Sequence, residues 1–230
     1  RGLAYQTYPY IDGKRWKKPS RSVEDAFRER VRLKRDENLL LVVARMDPVK
    51  SQDVAIRALA RIKSPGNYKL LMIGNGSFSS SKSGGLGRDK GAVWKQHLRE
   101  EARALGMEDR VEFMGYATDE ELRAAYRLAS AVILPSRIEG FGIAVLEGWM
   151  NGKPVVVSRG AGASELVEEG VNGYTFEPGD DMTLAEGIRK ATGPSAERLG
   201  ANGTQTVKQC LVGEASKQVR AVLEDTVASF

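Results

Sequence analysis

The residues Ala131-Val-Ile-Leu-Pro-Ser136 are followed at once by Arg137-Ile-Glu-Gly-Phe-Gly142 and then by a helical pattern that contains Glu147. The apolar run is short and ends in a proline, as expected of a strand buried on both faces of a parallel sheet. Glu139 and the turn Gly140-Phe141-Gly142 would then lie at the carboxyl end of that strand, where open α/β sheets bind ligands. The amino terminus of the next helix would offer free backbone N–H groups to a phosphate.

Glu147 lies four residues after Ile143 and three before Met150, on the helix stripe that should pack inward. A carboxylate buried without a partner is costly, so we expect ligand hydroxyls or a fixed cation beside it. The alternative is that Glu139 is a solvated loop acid and Glu147 pairs with a nearby lysine or arginine. Because two acids flank one glycine turn, the pattern favours a sugar-nucleotide site.

Short apolar runs and helical patterns alternate along the rest of the chain. We predict six strands, at residues 39–44, 68–74, 110–115, 131–136, 154–158 and 174–177. Helical patterns separate them. This order predicts an α/β fold with a Rossmann-like, doubly wound parallel sheet.

We divide the chain into three parts. Residues 1–36 form an approach segment, with a strand at 8–11 and a basic helix at 23–33. Residues 37–192 form a Rossmann-like nucleotide-sugar-binding domain, and residues 193–230 form helices that pack on it. Gly200 and Gly203 weaken the helix prediction at the start of this tail.

Two further segments carry expectations of their own. The Ser- and Gly-rich run at 77–91 is long for a connection between a strand and a helix, so we expect a mobile loop. The apolar face expected for the tail consists of Leu211, Ala215, Val219, Val222 and Val227.

The charge balance is mildly basic. The 35 Lys and Arg against 30 Asp and Glu give a net charge of +5, too small to indicate a nucleic-acid partner. The basic residues concentrate between Lys14 and Arg35, which predicts a solvated face or, alternatively, an interface or a peripheral membrane contact.

The chain has the composition expected of a protein of a reducing compartment. Its only cysteine, Cys210, cannot form an internal disulfide, so we expect a cytoplasmic location. No apolar run approaches the roughly 18 residues of a membrane span, and no signal-peptide pattern opens the chain. One histidine and one cysteine cannot form a His/Cys metal cluster, so we expect no metal site.

The segment from Ser136 to Val156 resembles the E-x7-E region of the retaining GT-B glycosyltransferases of glycosyltransferase family 4, which follow S-x-x-E-G-F-G-x-x-x-L-E-A-M-A-x-G-x-P-V-V. Glu139 and Glu147 stay in register, whereas Gly148-Trp149-Met150-Asn151 departs from the pattern. The resemblance extends over about residues 38–192. It implies the C-terminal, donor-binding half of a GT-B fold and the transfer of a hexose from a nucleoside-diphosphate sugar.

The resemblance also implies the roles of the two acids and two cations. Glu139 would contact the hydroxyls of the transferred sugar, and Glu147 those of the ribose. Arg45 and Lys50 match the arginine and lysine of the family's G-R-x-x-x-x-K-G loop, which hold the donor diphosphate. Two fixed cations suit this role because a departing diphosphate accumulates negative charge. Ala44 and Ser51 stand where the family has glycines.

Glycines at other strand ends complete the predicted site. The amides of Gly140-Phe141-Gly142 would bind the diphosphate, and Gly74 would let a ligand approach the backbone closely. By resemblance, Gly115 and Tyr116 would lie beside the nucleotide base.

The partners follow from the same resemblance. The donor would be a UDP-, GDP- or ADP-hexose, with no cofactor and no metal, and an N-terminal GT-B domain from a longer chain or a partner would hold the acceptor. The competing functions are a GT-B-like phosphorylase, a sugar-nucleotide epimerase, or a non-catalytic nucleotide-sugar-binding or interaction module. An epimerase needs more proton-transfer groups than the single histidine, His97, provides.

Overall fold

A computed structural model describes residues 8–62, 68–76 and 87–228 as a six-stranded parallel sheet with helices on both faces. The strands are β1 (Asn38–Val43), β2 (Tyr68–Ile73), β3 (Val111–Met114), β4 (Ala129–Leu134), β5 (Val155–Ser158) and β6 (Gly173–Phe176). Their order in the sheet is β3-β2-β1-β4-β5-β6. This is the doubly wound order, in which the winding direction reverses between the first and fourth strands. The predicted fold class is confirmed, and each predicted strand is present within two residues of its expected ends.

β1 is apolar from Leu39 to Val43 because both faces of the sheet are covered. Leu39 and Leu41 of β1 belong to one core cluster, and Leu40 and Val42 to the other. Successive side chains of a strand point to opposite faces, so a strand buried on both sides has no polar alternation.

The helices divide between the two faces. On one side lie α1 (Arg21–Arg30), α4 (Asp119–Leu128) and α5 (Ile143–Met150), and on the other lie α2 (Gln52–Arg61), α3 (Gly87–Ala104) and α6 (Asp181–Ala191). The predicted loop at 77–91 is wrong from Gly87 onward, where α3 begins, and its residues 77–86 lie outside the described part of the chain.

The described part of the approach segment packs on the body, with Phe27, Val31 and Leu33 buried in the core. The predicted strand at 8–11 is reduced to one parallel bridge between Ile11 and Leu211. The basic helix begins at Arg21, two residues before its predicted start, because the Ser20 side chain caps it by accepting from the backbone N–H of Val23. It ends at Arg30 rather than at residue 33.

Part of the basic run has partners on α4. Arg15 pairs with Asp119 at 3.2 Å, and Arg30 pairs with Glu121. These acids belong to the first turn of α4, where the positive end of the helix dipole also stabilises negative charge. The structure therefore accounts for some of this charge by packing within the chain.

The tail contains α7 (Ala196–Thr206) and α8 (Val212–Ala228). In α8 the expected apolar face is not buried at Val219, which is 48% exposed, and the side chains of Ala215 and Val227 lie outside the described residues. Neither α8 nor another helix of the described ranges is both long enough and apolar enough to span a bilayer.

The glycines of α7 are packing positions rather than helix breaks. A Cβ on Gly203 would lie 2.0 Å from Cδ1 of Trp149, and one on Gly200 would lie 1.9 Å from the carbonyl oxygen of Gly152. Trp149 is fully buried, and its indole N–H donates to the Asn172 carbonyl at 3.0 Å. The bulky tryptophan in α5 is therefore accommodated by the missing side chain of Gly203 in α7, and Gly200 lets α7 approach the turn after α5.

We predict that Gly203→Ala lowers the free energy of unfolding by about 1–3 kcal/mol, because the added methyl overlaps Trp149. Gly213→Ala in α8 is the matched control, since its Cβ would meet nothing within 4 Å. That change should be neutral or stabilising by up to about 1 kcal/mol through helix propensity. Urea denaturation measures both variants, and equal stabilities would contradict the packing argument.

Candidate functional site

The reversal of strand order between β1 and β4 brings two loops together at the carboxyl edge of the sheet. The loop after β1 contains Arg45 and Lys50, and the loop after β4 contains Glu139. The backbone N–H of Arg137 donates to the Val49 carbonyl at 2.9 Å, which joins the two loops directly. A crevice at this position is the usual ligand site of a doubly wound sheet.

A cleft of about 390 Å³ opens beside this junction. Four predicted site residues line it: Glu139, Phe141, Gly142 and Glu147. The other lining residues are apolar and come from the approach segment, the ends of β1 and β4, and the start of α5: Pro9, Val43, Leu134, Ile143 and Ala144. The polar side chains that line the cleft are therefore the two acids.

Gly142 shapes the entry to α5. Its φ of +101° is strained for other residues, and an added Cβ would lie 2.3 Å from Cδ2 of Leu134. As the N-cap of α5 it provides no side-chain hydrogen bond to the first turn. The helix terminus therefore faces the cleft without a side-chain cap, an arrangement suited to an anion.

The glycine turn is held by the loop after β5. The N–H of Glu139 donates to the Gly160 carbonyl at 3.0 Å, and the N–H of Ala163 donates to the Phe141 carbonyl at 2.8 Å. A Cβ on Gly160 would lie 2.0 Å from the Arg137 carbonyl oxygen. Close approach at Gly160 thus serves to fix the position of the Glu139 loop.

Lys50 and Glu139 form an ion pair across the two loops. The side chains are 11% and 22% exposed, so Lys50 is not a solvated surface cation. In this structure the lysine faces a carboxylate, and a diphosphate would have to share or replace that partner. Arg45 lies nearby in the same loop, with its Nη1 3.9 Å from Oδ2 of Asp47.

The turn that carries these cations forms without the two family glycines. Ser51 adopts the left-handed conformation, with φ +50° and ψ +42°, which explains the glycine of the pattern. Gln52 is fully buried and donates to the Arg45 carbonyl at 2.6 Å, and it accepts from the indole N–H of Trp94 at 2.8 Å. Sequence reasoning missed Gln52, although a glutamine among apolar helix positions needs such partners.

Glu147 is partly buried at the cleft wall, and Tyr126 is its hydrogen-bond partner. The Tyr126 hydroxyl donates to Oε2 of Glu147 at 2.5 Å. This oxygen therefore has a protein donor that the sequence did not predict, and the expected ligand hydroxyls stay a prediction. Burial raises the pKa of Glu147, while the Tyr126 hydrogen bond and the positive charge of Arg15 counteract part of that rise.

Tyr126 is a second residue beside the site that sequence reasoning missed. It lies on α4 and is fully buried. A buried tyrosine hydroxyl needs an acceptor, and Glu147 was a buried acceptor in need of a donor. That complementarity was the available signal, but the pairing depends on how α4 and α5 pack.

Gly74, predicted to let a ligand approach the backbone, and Gly115 and Tyr116, predicted to lie beside the base, are farther along the edge. A Cβ on Gly74 would be 2.0 Å from the Ala44 carbonyl oxygen, so its close contact is with the neighbouring loop and not with open ligand space. Gly115 abuts the Asn75 side chain, and Tyr116 is 73% exposed. β3 is three strand spacings, about 14 Å, from β4, so these residues do not share the cleft of Glu139 and Glu147.

No group of three His, Cys, Asp or Glu side chains within residues 8–62, 68–76 and 87–228 is placed to hold a metal ion. The adjacent acids Asp180 and Asp181 have structural partners instead. Asp180 caps α6 by accepting from the N–H groups of Met182 and Thr183, and Asp181 pairs with Arg61 at 2.6 Å.

We predict that Gly142→Ala destabilises the chain by about 1–3 kcal/mol, because the residue needs a positive φ and its Cβ would overlap Leu134. Gly140→Ala, two residues earlier, is the control, since its Cβ would meet nothing within 4 Å. Thermal denaturation compares the variants. A melting temperature for Gly142→Ala equal to that of Gly140→Ala would rule out the strained turn.

Comparison with known proteins identifies the family. Residues 23–206 match the family described as glycosyl transferases group 1. The chain is 30% identical over 162 residues to an uncharacterized glycosyltransferase of Methanocaldococcus jannaschii, covering 70% of this chain and 37% of that protein. It is 33% identical over 171 residues to D-inositol 3-phosphate glycosyltransferase 2 of Catenulispora acidiphila, covering 72% and 38%. The chain thus spans less than half the length of these relatives.

A solved structure shares the fold. HepE of Anabaena in complex with UDP matches with a TM-score of 0.79 and 25% identity, over 94% of this chain and 56% of that chain. The family match covers most of the sequence and includes both loops of the cleft. This chain therefore belongs to the group 1 glycosyltransferases, with the GT-B relationship that the segment around Glu139 and Glu147 predicted.

Proposed function

We propose that this chain is the donor-binding part of a retaining glycosyltransferase that moves a hexose from a nucleoside-diphosphate sugar to an acceptor. The observation that carries the proposal is that Glu139 and Glu147 line one cleft beside the uncapped amino terminus of α5. UDP in the related HepE structure supports a nucleotide-sugar donor. HepE has also been solved with UDP and glucose, at 26% identity and a TM-score of 0.77 over 94% of this chain and 55% of that chain, which supports a hexose.

The diphosphate would bind between the loop after β1 and the amino terminus of α5. Lys50 and Arg45 supply two cations from the loop after β1, and the amides of Gly140-Phe141-Gly142 and the first turn of α5 supply the helix dipole. Arriving phosphates would draw Lys50 away from Glu139 and leave that carboxylate to the sugar. The same groups would stabilise the charge on the departing diphosphate.

The transfer step needs no separate catalytic base in this scheme. The bond between the anomeric carbon and the phosphate oxygen breaks, and its electron pair leaves with the diphosphate. The acceptor hydroxyl forms the new bond on the same face and gives its proton to the leaving phosphate oxygen. Glu139 would orient the hexose and stabilise positive charge that develops on its ring.

Glu147 would hold the nucleoside by accepting hydrogen bonds from the ribose hydroxyls. An ionised acceptor makes stronger hydrogen bonds than a neutral one. Its position four residues into α5, beside the Val43 end of β1, would place the ribose at the floor of the cleft.

The acceptor site would belong to an N-terminal GT-B domain, in agreement with the partial coverage of the relatives, and we propose a cytoplasmic location. One observation speaks against the epimerase alternative. His97 lies on α3, stacked on Trp94 with ring centroids 5.0 Å apart, and it is not among the residues lining the cleft.

We predict that the chain binds a nucleoside diphosphate without metal, because Lys50, Arg45 and the α5 terminus can offset the charge of the phosphates. Calorimetric titration with UDP, GDP and ADP, with and without EDTA, should give a dissociation constant that chelation leaves unchanged. Loss of binding in EDTA would refute metal independence, and failure of all three nucleotides would refute the donor site.

We predict opposite patterns for the two acids. Glu147→Gln should weaken free nucleoside diphosphate and nucleotide sugar alike by about ten- to a hundredfold, the effect of about 1.5–3 kcal/mol for a charged hydrogen bond. Glu139→Gln should spare or strengthen binding of the free diphosphate, because Lys50 loses its competing partner, yet weaken the nucleotide sugar relative to it.

Calorimetry with matched ligands, such as UDP and UDP-glucose, separates the two roles. Glu186→Gln is the control, since Glu186 lies on α6 in an exposed pair with Lys190. This variant should bind both ligands as the wild type does. Equal losses of both ligands in Glu139→Gln would eliminate its sugar role, and wild-type affinity in Glu147→Gln would eliminate the ribose role.

A further inference from the structure

Tyr126 and Glu147 form a hydrogen-bonded pair between two helices. Tyr126 lies on α4 with no exposed surface, and its hydroxyl donates to Oε2 of Glu147 on α5 at 2.5 Å. The two residues are 21 positions apart in sequence, so the contact exists only because both helices pack on the same face of the sheet.

The carboxylate has a neutral partner where a cation would be usual. Across the described ranges, no lysine or arginine nitrogen lies within 4.0 Å of the Glu147 carboxylate. A partly buried carboxylate without an ion pair depends on its hydrogen bonds for both its orientation and its charge. Loss of the Tyr126 hydroxyl should therefore change the orientation and the charge of Glu147 more than loss of any other contact would.

The tyrosine ring is itself fixed from the approach segment. Trp16, at the end of the 3₁₀ turn Gly13–Trp16, packs edge-on against it, with centroids 5.1 Å apart and planes at 90°. Arg15 of the same turn adds a positive charge that favours ionised Glu147. The approach segment thus acts on the cleft indirectly, through the ring of Tyr126 and the charge of Glu147.

We propose that Tyr126 is a positioning residue that fixes the Glu147 carboxylate as a hydrogen-bond acceptor for the ribose of the donor; this inference rests on the proposed function. The Tyr126 hydroxyl donates to Oε2 of Glu147, which itself lines the cleft. The remaining lone pairs of the carboxylate would then accept hydrogen bonds from a ligand in the cleft. Tyr126 would act only through Glu147, since it does not line the cleft.

Removal of the hydroxyl should change the charge of Glu147 as well as its orientation. Burial raises the pKa of Glu147, whereas Tyr126 from α4 and Arg15 from the Gly13–Trp16 turn oppose that rise. Without the hydroxyl the pKa should rise further. The protonated acid is a weaker acceptor, so nucleotide affinity should decline at a higher pH as the solution is acidified.

The test compares Tyr126→Phe with Tyr68→Phe in titrations with UDP, GDP and ADP. Tyr68→Phe also removes a hydroxyl contact, 2.8 Å to Oγ1 of Thr192. Tyr68 is the first residue of β2, so it lies at the amino ends of the strands, away from the cleft at their carboxyl ends. For the nucleotide that binds the wild type, Tyr126→Phe should weaken affinity about tenfold near pH 7, and Tyr68→Phe should not change it.

Carbon-13 NMR of the Glu147 carboxyl supplies a readout that is independent of ligand and activity. Its titration midpoint should lie higher in Tyr126→Phe than in the wild type and be unchanged in Tyr68→Phe. Wild-type affinity and midpoint in Tyr126→Phe, alongside weakened binding in Glu147→Gln, would overturn the positioning role but leave the proposed function standing. Wild-type binding in both Tyr126→Phe and Glu147→Gln would overturn the ribose role and this inference together.

Discussion

Parallel pairing of β1 with β4 is the constraint on which the site depends. Leu40 pairs with Ala131 and Leu41 with Val132, and the winding of the sheet reverses between these strands. Their carboxyl ends therefore lie side by side, with no helix filling the crevice between them. This is why Lys50 and Glu139, 89 positions apart, can form an ion pair, and why a diphosphate and a hexose could be bound by adjacent loops.

Each of the two acids that line the cleft has a partner within the described part of the chain. Lys50 is held by Glu139, and Glu147 by the hydroxyl of Tyr126. These two solutions differ physically. Under the proposed function, an arriving phosphate would replace Glu139 as the partner of Lys50, whereas the neutral Tyr126 hydroxyl would remain on Glu147 when the ribose binds. The site would then combine a replaceable partner at the diphosphate with a permanent one at the nucleoside.

Much of the fold was predictable because burial on both faces leaves a clear record in sequence. The strand at β4 was recognisable from its uninterrupted apolar run, and Glu139 from its place directly after that strand. The capping box at the start of α4, formed by Thr118 and Glu121, is likewise visible in the sequence as a threonine followed three residues later by a glutamate. In each case neighbouring residues contain the whole signal.

The errors concern contacts between distant elements. The sequence does not show why Gly74 and Gly203 must be glycines. A Cβ on Gly74 would overlap the Ala44 carbonyl oxygen, and one on Gly203 would overlap the ring of Trp149. Tyr126 looked like an ordinary core residue because its acceptor lies on a different helix. The 48% exposure of Val219 shows the reverse case, an apolar stripe without a surface to cover it among the described residues.

The most direct measurement is a crystal structure of this chain with its bound nucleoside diphosphate. The account predicts ribose hydroxyls about 2.5–3.2 Å from the Glu147 carboxylate, phosphates at the amino terminus of α5, and Lys50 moved from Glu139 to a phosphate oxygen. A nucleotide bound away from the β1–β4 crevice, or one whose ribose does not touch Glu147, would contradict it.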